Sequence, residues 1–209
     1  MYANFLKLDK EKQERIINAG LSVFSKKPYK SASTDDIVDQ AGISKGALYH
    51  YFKNKKNFFL YLYDYVTQMM ITNFSEKVDF EQKDIFERYK NILIVKLDLL
   101  DKHPDLYDFV INTVYGDDIE LQKELNKKNR EIISKNMATL LSDIDRSKFR
   151  SDIDPNVAID MIFLTFESYG NREAIKIKQT GYSKELYDKW LNDFNRYIEV
   201  MKKIYYKGE

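Results

Sequence analysis

At 209 residues, 44% of them hydrophobic and 32% charged, the chain can form one large or two small domains and is too apolar for a disordered polymer. The absence of cysteine excludes disulfides, thiolate metal sites and cysteine nucleophiles. The net charge of +1 is unevenly spread, with 11 Lys/Arg against 6 Asp/Glu in residues 1–60 and an acidic remainder. A basic first quarter on an acidic body suits a small DNA reader joined to something else. No apolar run approaches the ~20 residues that span a bilayer. Residues 1–12 are polar and lack the hydrophobic stretch of a signal peptide, so a cytoplasmic location is expected.

Only 3 prolines and 7 glycines punctuate the sequence, and apolar residues recur at three- and four-residue spacing almost throughout, which predicts an all-α fold. The first helix is expected over residues 9–25, with Ile16, Ile17, Ala19, Gly20, Val23 and Phe24 as its stripe and Pro28 beyond its end. Ser33 and Thr34 offer an N-cap for a short second helix over 35–41, with Asp35 and Asp36 placed to favour its dipole. Gly42 breaks that helix, Ile43 plugs the turn, and Ser44 caps a third helix over 45–52. Asn54 caps a fourth that runs to 77. Five more helices are expected over 81–102, 105–115, 117–144, 155–178 and 183–207, with 145–154 as the clearest loop. That gives about nine helices, a three-helix N-terminal domain over 1–53 and a helical body over 54–209.

Residues 34–52 form two short helices around a glycine turn, the arrangement that lays a second helix in the DNA major groove. Ile37, Ala41, Ile43, Leu48 and Phe52 face inward, and Lys45, Gly46, Ala47, Tyr49 and His50 face out. Gly46 allows close backbone approach, and Lys45 reaches a guanine edge or a phosphate. Thr34, Ser44, Tyr49, His50 and Lys55 carry donors suited to phosphate oxygens.

The run from Ile43 to Lys55, together with Phe24, Tyr29, Thr34 and Ile37, resembles the DNA-binding segment of the TetR/AcrR family of transcriptional regulators. The resemblance covers roughly residues 10–60, and Pro28 departs from the glycine usual before the aromatic at Tyr29. It implies a homodimer of all-helical subunits binding a palindromic operator on double-stranded DNA. Lys45, Gly46 and Ala47 would lie nearest the bases, with Thr34, Ser44, Tyr49, His50 and Lys55 on the backbone. It also implies a small-molecule effector whose binding releases a repressor by swinging the reading heads through the fourth helix. Control by a protein partner, or no ligand at all, is the alternative.

Beyond residue 60 the expectations rest on apolar patterning. Residues 157–166 are apolar on nearly all sides and so need cover on more than one face. The last helix carries the stripe Leu186, Trp190, Phe194, Tyr197 and Met201. These five and Ile162 are expected at a four-helix dimer interface. Candidate effector-lining residues are Tyr61, Tyr65, Met69, Tyr89, Leu93, Tyr107, Met137, Phe163 and Phe166, with Glu167 as a counter-charge for a cationic ligand. Asp143, Asp145, Asp152 and Asp154 read as a solvated acidic loop without metal-ligand spacing. With two histidines and neither a phosphate-binding loop nor a nucleophile motif, no catalytic residue, metal or cofactor is expected.

Overall fold

A computed structural model describes residues 2–102, 104–114, 116, 118–181 and 183–208; within these, the side chains of residues 100, 104, 107, 114, 133–138 and 178 are not described. Among the described residues there are ten α-helices and no strand. They are α1 (Ala3–Leu6), α2 (Lys10–Lys26), α3 (Thr34–Ala41), α4 (Lys45–Phe52), α5 (Lys55–Lys77), α6 (Ile85–Lys102), α7 (Pro104–Val114), α8 (Ile119–Leu140), α9 (Pro155–Thr180) and α10 (Lys184–Tyr205). The helix expected over 9–25 is α2, and the next three follow as α3 to α5. Helix α1 is an addition to the expected set.

The chain forms two compact units, each drawn from two stretches: residues 1–72 with 103–130, and residues 73–102 with 131–209. These cut across the boundary expected after residue 53, because α5 and α7 complete the core of the first unit. There Phe24 meets Phe59 edge-on at 4.9 Å, and Phe59 lies 5.3 Å from Phe109 of α7. Phe58 and Leu62 of α5 are fully buried. Gly20 permits the α2–α5 approach, since a Cβ there would stand 2.6 Å from the Phe58 ring. Asn112 of α7 donates to the carbonyls of Phe24 and Ser25, at 3.3 and 2.7 Å, closing the end of α2.

In the second unit, α10 packs on α6 and α9. Phe166 and Phe194 pack as tilted rings with centroids 4.2 Å apart, and Ile85, Phe86, Ile162 and Leu97 are fully buried. The end of α8 and the start of α6 are set by one side chain. Arg88 is fully buried and donates to four carbonyls at 2.7–2.8 Å: Phe80, Gln82, Leu140 and Ser142. Those carbonyls are drawn off the helical ladder, so α6 begins at Ile85 rather than near 81, and α8 stops at Leu140 rather than 144.

The stretch 145–154, expected as open loop, is pinned instead. It contains a 3₁₀ turn, Arg146–Lys148, and Phe149 pairs with Tyr206 in an isolated antiparallel bridge. Its acidic residues have local work: Asp145 accepts from the Ser147 amide, Asp154 caps α9 through the Asn156 amide, and Asp152 pairs with Arg150 at 2.7 Å.

Candidate nucleic-acid interface

The helix-turn-helix is specified by local chemistry at each end of its two helices. The Ser33 hydroxyl accepts from the Asp35 amide at 3.0 Å and starts α3. Gly42, at φ 62°, ends it in the left-handed conformation, and the Ile43 amide returns to the Val38 carbonyl at 3.1 Å. Ser44 accepts from the Ala47 amide at 3.1 Å and starts α4 at once. The turn is therefore only three residues long, Gly42, Ile43 and Ser44, and Leu48 and Phe52 are left to dock α4 on the core, where both are buried.

Docking that face inward fixes what faces out. Lys45, Gly46, Tyr49 and His50 are exposed and Ala47 is half-buried, so five of the expected contacts share one accessible helix face. Ser44 is exposed but its hydroxyl is used as the cap, and Thr34 is half-buried at the start of α3. Lys45 reaches back to Asp35 at 2.8 Å, and this hydrogen bond raises its pKa above the ordinary lysine value. Asp36 is likewise met by Lys27, at 2.7 Å. The two carboxylates in the first turn of α3 are thus each paired with a lysine.

Lys55 is placed differently from the expectation. Its ammonium turns inward and donates to the carbonyls of Tyr29, Ala32 and Lys30, at 2.8, 3.0 and 3.3 Å, while lying 4.6 Å from the centre of the Tyr29 ring. Burial lowers its pKa, with Asp118 acting weakly the other way. With its donors spent on the loop between α2 and α3, it holds the reading head together rather than offering a free cation to phosphate.

Sequence patterning passed over α1. Phe5 is fully buried among the rings of Phe52, Tyr61 and Tyr51, at 4.8, 5.1 and 6.1 Å, and Tyr2 adds its ring at 5.5 Å from Phe52. Asn4 donates to Nε2 of His50 at 3.1 Å, so α1 also touches the exposed face of α4. The signal was the Tyr2–Phe5 spacing, one helical turn inside an otherwise polar segment.

The residues expected to line an effector site fall in both units. In the first, Tyr61 packs into the ring cluster of Tyr2, Phe5 and Phe52 instead of facing a cavity, Tyr65 is 39% exposed, and Met69 is half-buried. In the second, Tyr89, Leu93 and Phe166 are buried and Phe163 is half-buried. Glu167 is exposed, which removes the reason to read it as a buried counter-charge. The side chains of Tyr107 and Met137 lie outside the described residues.

The expected dimer stripe is also corrected. Ile162, Trp190, Phe194 and Met201 are each under 9% exposed within the chain itself, packed between α6, α9 and α10. Leu186 and Tyr197 are half-buried. The strongest apolar stripe of a helix goes first to its own core, since that contact forms at any protein concentration. What remains outside is a second, narrower stripe: Val157, Met161, Leu164 and Ile175 on α9, and Val200 and Ile204 on α10, all 43–60% exposed.

These features define a helix-turn-helix reading head carried by an all-helical chain. Residues 16–62 match the model of the family described as bacterial regulatory proteins, tetR family. A TetC protein of transposon Tn10 from Escherichia coli is 31% identical over 90 residues, 41% of this chain and 46% of that protein. The chain thus spans less than half the length of the first curated relatives it matches. The fatty acid metabolism regulator protein of Bacillus subtilis is 25% identical over 169 residues, 78% of this chain and 83% of its own length. The fold is that of a solved structure of the regulator FadR from Bacillus subtilis, in complex with stearoyl-CoA. It has a TM-score of 0.57 and 19% identity, covering 87% of this chain and 96% of that one. The likeness to the tetR family is thus carried by the helix-turn-helix segment, residues 16–62. Among the described residues, no helix is long and apolar enough to cross a membrane.

Proposed function

We propose that the chain is a transcriptional regulator that binds double-stranded DNA with α4 and acts as a homodimer whose affinity for a palindromic operator is lowered by a small effector. The observation that carries this reading is the exposed face Lys45–Gly46–Tyr49–His50 on a helix capped and docked for insertion in a groove. Lys45 leaves Asp35 to meet a base edge or phosphate, Gly46 lets the backbone approach, and Tyr49 and His50 with the α3 terminus at Thr34 hold phosphate. Two such heads in a dimer meet successive major grooves about 34 Å apart. The exposed apolar stripes of α9 and α10 supply the face for the second copy.

Effector control is supported by the relative solved with stearoyl-CoA. Binding in the helical body shifts the population away from the spacing that fits both grooves, and a coupling of roughly 1–3 kcal/mol changes operator affinity about 5–150-fold. The test begins with selection of bound sequences from random duplexes, followed by fluorescence anisotropy. Tyr49→Phe weakens binding to every selected duplex. Lys45→Ala does so too, lowers the salt slope by about one and relaxes preference at one position in each half-site. A Lys45→Ala protein with unchanged affinity, slope and preference would remove α4 from the groove.

A further inference from the structure

The second unit holds two polar groups whose burial the fold itself does not explain. Tyr89 of α6 is 8% exposed, and its hydroxyl is shielded with no hydrogen-bond partner among the described residues. Its ring lies 5.2 Å from that of Phe166 on α9. Lys96 stands seven residues further along α6, hence on the same helix face about 10 Å on. Its ammonium lies deep enough for burial alone to pull its pKa below the ordinary lysine value. No hydrogen bond or ion pair reaches it among the described residues. Yet the side chain retains accessible surface. A deep ammonium without a partner among the described residues is a candidate contact for a ligand. Between the two lies Leu93, which is buried.

An uncompensated buried ammonium destabilises a fold, and a buried phenol without a partner adds to that cost. Groups held at such a cost are characteristic of sites completed by a ligand. We propose that this face of α6 is the effector site and takes an amphipathic carboxylate. Lys96 supplies the counter-ion, Tyr89 donates from its hydroxyl further along, and Leu93 and Phe166 cover the apolar body. Burial raises the pKa of the Tyr89 phenol and the negative potential of Glu167, exposed on α9, adds to this, so the phenol stays a donor. The same potential disfavours a ligand that is anionic at the Tyr89 end, so the charged group sits at Lys96. This proposal rests on the reading of the chain as an effector-responsive regulator.

The test is thermal shift of the full chain with four probes: dodecanoate, dodecanoyl-CoA, dodecanol and dodecyltrimethylammonium. Dodecanoate raises Tm most, Lys96→Met weakens its binding about 10- to 100-fold, and Tyr89→Phe weakens it about 2- to 10-fold. Without ligand, Lys96→Met melts no lower than the parent, because it removes a charge that has no partner among the described residues. An equal response to dodecanol or the cation overturns the proposal. So does a response confined to dodecanoyl-CoA, a dodecanoate response untouched by Lys96→Met, or a ligand-free Tm lowered by that substitution. Anisotropy with a selected duplex is read in parallel. A chain that binds DNA but no probe loses the carboxylate site and keeps the DNA-binding reading. One that binds dodecanoate through Lys96 but no duplex does the reverse.

Discussion

Replacing Lys55 by methionine separates two roles that its place in the sequence leaves entangled. As a phosphate contact, its loss would weaken every duplex and lower the salt slope by about one, with the melting temperature unchanged. As the clamp seen in the structure, it satisfies the carbonyls of Tyr29, Ala32 and Lys30 and covers the Tyr29 ring. A hydrogen bond to a charged group contributes about 1.5–3 kcal/mol when sheltered. Lys55 is only half-buried and one of its bonds is long, so about 1 kcal/mol each, or 2–3 kcal/mol in all, is the reasonable sum. For a chain of this length that lowers Tm by about 5–10 °C. DNA affinity then falls because the loop before α3 loosens, while the salt slope stays the same. Calorimetry and anisotropy across a salt series measure both quantities. A Lys55→Met protein with parental Tm and a slope smaller by one would refute the clamp and restore the phosphate contact.

Three further outcomes follow from the packing. Met161→Lys combined with Leu164→Lys yields folded monomers by sedimentation and circular dichroism, whereas Trp190→Asp with Phe194→Asp unfolds the second unit; a folded dimer from the first pair would rule out the α9 stripe. Phe5→Ala removes a fully buried ring from behind α4 and costs about 3 kcal/mol, with operator affinity falling alongside stability; an unchanged denaturation midpoint would show that α1 does not brace the reading head. Burial tends to raise the pKa of Asp84, but Lys148 at 2.8 Å, the charge of Lys202 and the Glu87 amide together hold it below its ordinary 3.8. The folded state therefore favours the ionised form. That stability is full above the unfolded value and is lost as pH falls through the folded one, so Asp84→Asn flattens the acid limb of a stability–pH curve below about pH 4; a limb as steep as the parent's would refute the assignment.

The helix-turn-helix was legible in the sequence because its determinants are local. Ser33, Gly42 and Ser44 sit within a residue of the turns they make, and the inward positions Ile37, Leu48 and Phe52 follow from helical period alone. The same period located α5 and the long apolar stripes of α9 and α10. It did not say which stripe faces the chain's own core, since Trp190 and Val200 are both apolar residues on one helix and only the packing against α6 and α9 tells them apart. Lys55 looked like a free cation until the loop carbonyls of Tyr29 and Ala32 were brought beneath it from more than twenty residues away. Arg88 and Lys96 are two charged residues on the same helix, unremarkable in sequence, and the fold gives one four carbonyls and the other no partner among the described residues. Local rules decide helices and caps, where partners are at most a turn apart; the use of a side chain whose partners are distant in the sequence is decided by tertiary structure.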